Sequence, residues 1–531
     1  ASQGFKSPRA RVIFMEEKKR EELREKHWAE IIADKIIEEK KEPFVITSGI
    51  TTSGPAHLGT VCEFLYPHTI KEALEDKGYK AEFYFIGDIL DAFDSIPKEM
   101  EPYENILKSE LGKPLVHVKD PLGCHSSLGT HYLEEAKGVM QALELKIDVR
   151  PVDELYAKGL FDPYAKIFLS QEEKVKEIIA RTSGKDIKSL VDWSPIMPIC
   201  EKCGKIATTR VIYHNGEDYE YICDKDVGYT KGCGYRGKGS LKDHKYKLQW
   251  RLHWPAWQAI FNTSAEGGGM DHFTKGGSWD TAVAIHKEIL NREPPFGYKF
   301  GFVLFGGKKY SKSKGIGMGA REIIKILPPE IIKYMLIEPN IQQNKDITLE
   351  GDKLIRVFDE VERLSKIEKP EDRADQKKKL ALKFATKGIK WRAPFVEILL
   401  YYQVYKDWNK VSELTKDPEG VKYLSPYIEE WLRRGLEPER YNFSIKQGII
   451  KEHKEVAKYF AESLKPSMSA IEIHNKVYEV AKEKGVEPSS LFKELYNALI
   501  SKDNGPRLGK LIEAIGVEKA KEMILKAIEN S

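Results

Sequence analysis

The amino-acid sequence predicts an α/β fold, a parallel sheet with a long insertion, followed by an all-α region. Apolar runs that end at Ile46 and span 81–87 enclose a helical pattern, and this order is typical of a right-handed βαβ unit. Mixed strand and helix patterns return after residue 246, and from Ala320 onward the apolar spacing is almost wholly helical. Residues 96–245, which open on a proline-containing linker, are predicted to be the insertion.

The composition is that of a globular protein with several domains. Its 531 residues correspond to about three domains of common size. The net charge of +4 neither requires nor excludes a nucleic-acid partner. The sequence shows no long apolar span and no signal-peptide core, so we expect a cytoplasmic protein without a membrane contact. Six cysteines in so long a chain are too few for a disulfide scaffold and point to metal binding or to no special role.

A charged amphipathic helix is predicted over residues 15–42, inside an N-terminal helical extension that covers 1–43. Its apolar stripe consists of Trp28, Ile31, Ile32 and Ile36. We expect this stripe to pack on the first strand of the sheet.

The stretch ITSGITTSGPAHLGT, residues 46–60, combines a strand end, a loop of small residues and a helix start. Backbone N–H groups and the positive end of the helix dipole point into such a loop, which is the geometry that receives phosphates or nucleotides. His57 and Thr60 add polar groups where an anion would lie. The alternative is an ordinary βα turn with a buried histidine.

Three aspartates, Asp88, Asp91 and Asp94, follow the second strand of the βαβ unit. They are expected beyond the carboxyl end of that strand, where parallel sheets place their ligand sites. The alternative is a solvated acidic turn.

Two clusters of metal-ligand residues lie in the insertion. The first, in DPLGCHSSLGTHY, offers Asp120, Cys124, His125 and His131. These N, O and S donors can close around one zinc ion, although polar surface or active-site histidines beside a buried cysteine are the alternative.

The second cluster consists of Cys200, Cys203, Cys223 and Cys233, within a predicted zinc ribbon over 198–238. Cysteine pairs on either side of a β-hairpin are typical of a structural four-cysteine zinc site, which does no chemistry. The wide spacing of the second pair leaves His214 open as a replacement ligand.

After residue 246 the chain carries three tryptophans, of which Trp254 is one, and then a glycine run that ends at Gly269. Glycines let the backbone approach a flat ligand closely, and Asp271 and His272 follow at once. A buried strand is predicted over 299–305. The loop GGKKYSKSKGIGMGA comes next, and its lysines suit a polyphosphate whose charge grows during a reaction, unless they form a solvated basic loop.

HLGT at the first βα turn and KYSKS after a late strand resemble the HIGH and KMSKS signatures of class I aminoacyl-tRNA synthetases. Fuller strings resemble the class I lysyl-tRNA synthetases of the archaeal type, and the resemblance covers essentially the whole chain. These strings are SGITTSGPAHLGT, DPLGCHSSLGTH, GGGMDHFTKGGSWDT, KKYSKSKG and GPRLGKLIEAIG.

The resemblance implies a Rossmann-type catalytic domain over 44–325, interrupted by the zinc-bearing insertion 96–245. A stem-contact region, 326–370, and an α-helical anticodon-binding domain, 371–531, would follow. The implied reaction joins lysine to ATP, with Mg²⁺, to give lysyl-adenylate and pyrophosphate. Lysine then passes to the 3′-terminal adenosine of tRNA(Lys), and AMP is released.

The resemblance also assigns site residues. Catalytic roles fall to His57, Thr60, Lys309 and Lys312. ATP binding falls to Pro55, His57, Gly59, Thr60, Gly269, Asp271, Lys309, Ser311, Lys312 and Ser313. Lysine binding falls to Gly49, Thr51, Trp254 and His272. The family pattern also favours a second zinc at Asp120, Cys124, His125 and His131.

Several points stay open at the level of sequence. A glutamyl or cysteinyl synthetase, a non-catalytic RNA-binding paralogue and a nucleotidyltransferase are the alternative functions. Asp88, Asp91 and Asp271 are unranked candidates for the acidic partner of the lysine ammonium group. The oligomeric state and the residues that contact the anticodon are not determined by any pattern, and we expect a monomer.

Overall fold

The computed structural model describes residues 26–190, 192–309, 318–370 and 372–530, and for 308 and 309 the backbone alone. The chain forms two compact units. The first comprises Ala1–Ile324, Ile332–Ile347 and Lys369–Thr386, and the second comprises Lys325–Ile331, Thr348–Glu368 and Lys387–Ser531. None of the helices in the described ranges is long and apolar enough to cross a membrane.

The first unit is built on a five-stranded parallel sheet, which confirms the predicted α/β class. Its strands are β1 (Phe44–Ile50), β2 (Ala81–Gly87), β3 (Asp148–Pro151), β4 (Ala265–Gly269) and β5 (Phe296–Phe300). They lie in the order β5-β4-β1-β2-β3, and neighbouring strands run parallel. The chain therefore extends the sheet to one side of β1 first and to the other side later, which creates a topological switch point between β1 and β4.

Five helices support this sheet and its site: α1 (Trp28–Glu39), α2 (Leu58–Asp76), α3 (Leu128–Ala142), α4 (Trp250–Ile260) and α5 (Ser278–Glu288). The predicted N-terminal helix is present as α1 within the described residues. It packs chiefly on α2 and also touches β5, and the Trp28 indole donates to the Ile337 carbonyl over 2.7 Å.

The insertion predicted over 96–245 contains part of the core, which corrects that boundary. β3 pairs with β2 as an edge strand, with Tyr84 opposite Asp148. Its sequence, DVRP, is short, charged and half-exposed, so it lacks the apolar run that marks a buried strand. The remaining helices of this range are Glu104–Leu107, Val152–Ala157, Asp162–Ser170 and Glu172–Ser183.

Two small antiparallel sheets complete the insertion. Ile196–Pro198 pairs with Tyr246–Leu248, and a three-stranded sheet is formed by Thr209–His214, Asp218–Cys223 and Arg236–Ser240. The first two strands of the second sheet form the hairpin that the sequence predicts between the cysteine pairs.

The strand predicted over 299–305 is in fact two strands. β5 ends at Phe300, and Val303–Phe305 belongs to a separate sheet with Lys308–Lys309 and Lys345–Ile347. Gly301 lies between the two strands, at a point where an added Cβ would lie 2.5 Å from the Gln343 carbonyl oxygen.

The C-terminal region is helical, as predicted. Helices Ala320–Ile326, Pro329–Ile337 and Arg373–Ala385 lie wholly or partly in the sequence ranges of the first unit. The helices of the second unit are Gly351–Lys366, Phe395–Tyr405, Trp408–Thr415, Pro418–Arg434, Lys454–Ser463, Ala470–Lys484, Pro488–Ile500, Leu508–Ile515 and Val517–Glu529.

Candidate active site

A cavity of about 340 Å³ opens at the switch point of the sheet. Its walls come from the end of β1, the start of α2, the turn after β4 and the segment after β5. Seven of the residues assigned from sequence line it: Thr51, His57, Gly59, Thr60, Gly269, Asp271 and His272. Ligands of open α/β sheets bind at the carboxyl ends of the strands beside such a point, so the sheet topology and the sequence assignments indicate the same site.

The start of α2 is shaped by His57, which adopts extended backbone angles as the N-cap. Its Nδ1 accepts a hydrogen bond from the Thr60 amide over 3.3 Å. Gly59 packs against the same ring, because a Cβ at Gly59 would lie 2.7 Å from His57 Cε1. The HLGT sequence thus fixes the imidazole at a helix N-terminus, where the helix dipole favours an anion.

The glycine run belongs to β4 itself. Gly267 faces Tyr298, whose ring would lie 2.1 Å from an added Cβ. Asp271 and His272 follow in the turn Met270–Phe273, at the cavity wall.

Trp254 and Gly49 lie behind the cavity surface. The Trp254 ring is buried and packs edge-on against His272, with 5.3 Å between ring centroids. A Cβ at Gly49 would lie 2.8 Å from the Ile86 carbonyl oxygen. Gly49 therefore lets β1 and β2 pair closely, and Trp254 supports the histidine that forms the wall. Pro55 lies in the loop just before the α2 N-cap.

Two acidic residues that the sequence did not single out lie in this region, Glu63 and Glu266. Glu63 faces the cavity and accepts a hydrogen bond from the Ser48 hydroxyl at 3.2 Å. Burial raises the pKa of Glu63 to about 8, although the bond from Ser48 acts to lower it. Glu266 and Asp271 raise this pKa further. Glu266 is buried and accepts from Trp257 Nε1 and Gln258 Nε2. Burial raises the pKa of Glu266 to about 7.

The Tyr298 hydroxyl lies near these carboxyl groups. Burial raises the pKa of Tyr298, and both carboxyl groups raise it further. It has no hydrogen-bond partner among the described residues. Burial thus favours the neutral forms of both carboxyl groups, and a cation bound beside them would favour their ionised forms.

The three aspartates after β2 differ in their surroundings. Asp88 is buried and pairs with the Lys247 ammonium at 2.6 Å, and Asp91 contacts the same ammonium group. Asp91 also accepts a hydrogen bond from the Thr51 hydroxyl. Asp94 is exposed. The alternative of a solvated acidic turn therefore applies only to Asp94.

The lysine-rich loop begins next to the site. Tyr310, Ser311, Lys312 and Ser313 lie outside the described residues, as does the side chain of Lys309. The end of the loop lies at the α2 start, because Gly319 forms a β-bridge with His57 and the Ala320 amide donates to the Ala56 carbonyl at 2.7 Å. The last residues of the loop that contains the second signature thus lie beside the first signature.

The four cysteines of the ribbon lie together. Their sulfur atoms are all within 4.8 Å of one another, and both Cys200–Cys233 and Cys203–Cys223 are separated by 3.7 Å. Four sulfurs at 2.3 Å from one zinc in a tetrahedron would be about 3.8 Å apart, so the donor set fits zinc. His214 is not part of this group and pairs with Glu172 at 2.6 Å, which removes the alternative ligand.

The second cluster is equally compact. Cys124 Sγ lies 3.2 Å from Asp120 Oδ2, 3.0 Å from His125 Nδ1 and 3.2 Å from His131 Nδ1. All four ligand atoms lie within 4.8 Å of one another, which fits one tetrahedral ion. His131 lies on α3, whose Glu135 accepts a hydrogen bond from the Ala56 amide at 3.2 Å. The cluster is thereby linked through α3 to the loop before His57.

The sequence is similar to those of one enzyme family. The family model described as tRNA synthetases class I (K) matches residues 26–387. The lysine–tRNA ligase of Archaeoglobus fulgidus is 32% identical over 94% of this chain and 100% of its own length. The lysine–tRNA ligase of Methanocaldococcus jannaschii is 31% identical over 92% of this chain and 98% of its own length. The chain therefore belongs to the class I lysyl-tRNA synthetases, a family of lysine–tRNA ligases.

Proposed function

We propose that the cavity at the switch point is where this enzyme joins lysine to ATP and then transfers lysine to the terminal adenosine of tRNA(Lys). The partners are lysine, ATP with Mg²⁺, and tRNA(Lys). In-line displacement at the α-phosphate needs positioning and charge stabilisation more than it needs a general base. The site supplies a helix N-terminus and an imidazole for the phosphates and an acidic region for a cation.

The observation that carries this proposal is the contact between His57 and the end of the lysine-rich loop. The His57–Gly319 bridge brings the end of that loop to the N-terminus of α2. Lys309 and Lys312 are proposed to hold the phosphates and to stabilise the pyrophosphate that leaves. Ser311 and Ser313 are proposed to assist them, together with Pro55, Gly59, Thr60, Gly269 and Asp271 around the nucleotide.

Glu63 is proposed as the acidic partner of the lysine ε-ammonium group. It faces the cavity, whereas Asp88 is already paired with Lys247 and Glu266 is covered by Trp257 and Gln258. An ammonium group beside Glu63 would favour its ionised form and relieve the repulsion from Glu266. Thr51 and His272 are proposed to contact the rest of the substrate, and Gly49 and Trp254 to support them.

Both metal clusters are proposed to bind zinc in a structural role. The four cysteines would hold one ion that fixes the ribbon, and Asp120, Cys124, His125 and His131 would hold a second. We assign no step of adenylate formation to either ion. Metal analysis of the purified protein should give two zinc ions per chain. His131→Ala should lose the second ion and keep the zinc ion of the ribbon.

The helical part of the chain is proposed to bind the tRNA. Stem contacts are proposed at 326–370 and anticodon-binding helices at 371–531, a range that overlaps the second compact unit from Lys387 onward. This region would select tRNA(Lys), whereas the cavity would select lysine.

ATP–pyrophosphate exchange across a panel of amino acids tests the proposal. The full chain should support exchange with lysine, and it should charge tRNA(Lys) in a second assay. Exchange with glutamate or cysteine but not lysine would contradict the amino-acid assignment. An absence of exchange with every amino acid, in protein that still binds tRNA, would favour a non-catalytic paralogue.

A further inference from the structure

A buried lysine from the insertion lies beside the proposed substrate site. Lys247, in the strand Tyr246–Leu248, has only 1% of its side chain exposed. Its ammonium lies 2.6 Å from Asp88 Oδ2 and also contacts Asp91 Oδ1. Burial alone would lower the pKa of Lys247, but the two aspartates outweigh it and raise that pKa, so the residue is charged.

The groups that surround Lys247 explain why a positively charged side chain is buried at this position. Burial, helped by Lys247, lowers the pKa of the adjoining His253 well below its ordinary value, so this histidine is neutral. Its Nδ1 is hydrogen-bonded to the Tyr156 hydroxyl at 3.0 Å. His253 therefore adds no positive charge, and Lys247 is the cation that contacts the carboxyl groups of Asp88 and Asp91. Packing alone would be satisfied by a methionine at position 247, so the ammonium group is explained by the aspartates that it binds.

The network reaches the cavity through Asp91. Asp91 receives Lys247 on Oδ1 and the Thr51 hydroxyl on Oδ2. Because the Thr51 proton is donated to Asp91, the lone pairs of the Thr51 oxygen remain to accept a further hydrogen bond. Thr51 lines the cavity, so its oxygen can accept a hydrogen bond from a donor that binds there.

We propose that Lys247 is a positioning residue for the substrate lysine. It holds Asp91, and Asp91 fixes the Thr51 hydroxyl as an acceptor for an ammonium group of the substrate. Lys247 touches neither substrate itself. This inference rests on the proposed function, in which Thr51 contacts lysine.

Steady-state ATP–pyrophosphate exchange with the full chain tests the proposal. The variants are Lys247→Met, Thr51→Val and the double variant, with the exposed Lys245→Met as the matched control on the same segment. Lys247→Met and Thr51→Val should each raise the KM for lysine several-fold and leave the KM for ATP within about twofold, as expected when one hydrogen bond to the substrate is lost. The double variant should be no worse than Lys247→Met, because the two residues act on the same contact. Thr51→Ser, which keeps the hydroxyl, should restore the KM for lysine.

Lys247→Met leaves the buried Asp88 and the partly exposed Asp91 without their cation and can lose stability, so a second variant cuts the network at a more tolerant position. The Asp91 side chain is 32% exposed, and Asp91→Asn keeps its size. Asp91→Asn should raise the KM for lysine selectively, as Thr51→Val does. An unchanged KM for lysine in Asp91→Asn or in folded Lys247→Met would overturn the inference. Equal increases in both KM values, or a double variant whose effects multiply, would overturn it as well.

The outcomes also separate this inference from the proposed function. If Thr51→Val leaves the KM for lysine unchanged, the assignment of Thr51 to the lysine site fails, and the inference fails with it. If Thr51→Val raises the KM for lysine but Lys247→Met and Asp91→Asn do not, the lysine site stands and only the positioning role of Lys247 fails.

Discussion

Replacing Glu63 by glutamine tests the proposed recognition of the lysine side chain. Glu63 faces the cavity, accepts a hydrogen bond from Ser48 and lies near Glu266. Glu63→Gln keeps the size of the side chain and the acceptor for Ser48 but removes the negative charge. We therefore expect weaker binding of lysine with little change in the fold.

The size of the effect follows from the bond that is lost. A hydrogen bond to a charged group contributes about 1.5–3 kcal/mol, which corresponds to roughly a 10- to 100-fold increase in the KM for lysine. The KM for ATP should stay within about twofold, because the phosphates are assigned to the start of α2 and to the lysine-rich loop.

The pH dependence gives a second, independent readout. The pKa of Glu63 lies at about 8 in the protein without substrate, above its ordinary value of 4.5. Lysine binding must then expel a proton below that pH, so the wild-type KM for lysine should fall by up to about tenfold per pH unit as the pH rises from 6 toward 8. Glu63→Gln should flatten this slope.

The raised pKa of Glu63 also affects folding. The folded protein without substrate holds a proton that the unfolded chain releases, so this group makes the protein less stable as the pH rises from 4.5 to about 8. Glu63→Gln should remove that part of the pH dependence, measured as the free energy of unfolding in urea at several pH values.

The assay is ATP–pyrophosphate exchange with lysine and ATP varied separately between pH 6 and pH 8. Glu75→Gln is the control, because Glu75 lies on the same helix but is exposed and pairs with Lys71. A KM for lysine that is unchanged in Glu63→Gln would refute the assignment. A loss of kcat with no change in KM would place Glu63 in the chemical step and would refute the reasoning as well.

Three further predictions concern the phosphates, the sheet and the ribbon. His57→Asn keeps an N-cap for α2 but removes the imidazole, so kcat should fall by about 10²-fold while the KM for lysine stays constant, and an unchanged kcat would exclude a role at the phosphates. Gly49→Ala should lower the free energy of unfolding in urea by about 1–3 kcal/mol, because its Cβ would lie 2.8 Å from the Ile86 carbonyl oxygen. Gly138→Ala, whose added Cβ meets nothing within 4 Å, should stabilise the protein, and equal effects of the two alanines would contradict the packing argument. Cys203→Ser should reduce the zinc content by one ion per chain and lower the Tm, and wild-type values of both would mean that the ribbon binds no metal.

The sequence predicts those features whose chemistry is local. The HLGT turn combines an N-cap histidine and a glycine that packs on its ring, and both contacts fall within four residues. The cysteine ribbon is also local, because a hairpin joins its two pairs. The α/β class follows from apolar runs, because parallel strands that are buried on both faces consist almost entirely of apolar residues.

The remaining features depend on contacts between distant parts of the chain. Lys247 is 156 residues away from Asp91, and nothing around it marks it as buried. Glu63 belongs to no motif, because its role depends on the face of α2 that meets β1 and β4. β3 was not predicted from the sequence, because a half-exposed edge strand of four residues has no apolar pattern.

The structure of the protein bound to a non-hydrolysable lysyl-adenylate analogue tests the central claim most directly. We predict that the analogue lies in the cavity at the switch point, with its ε-ammonium group at Glu63, an α-ammonium contact at Thr51 and its phosphate mimic at His57. An analogue bound in this cavity with its ammonium group away from Glu63 would contradict the proposed recognition of lysine. An analogue bound outside the cavity would contradict the assignment of the active site.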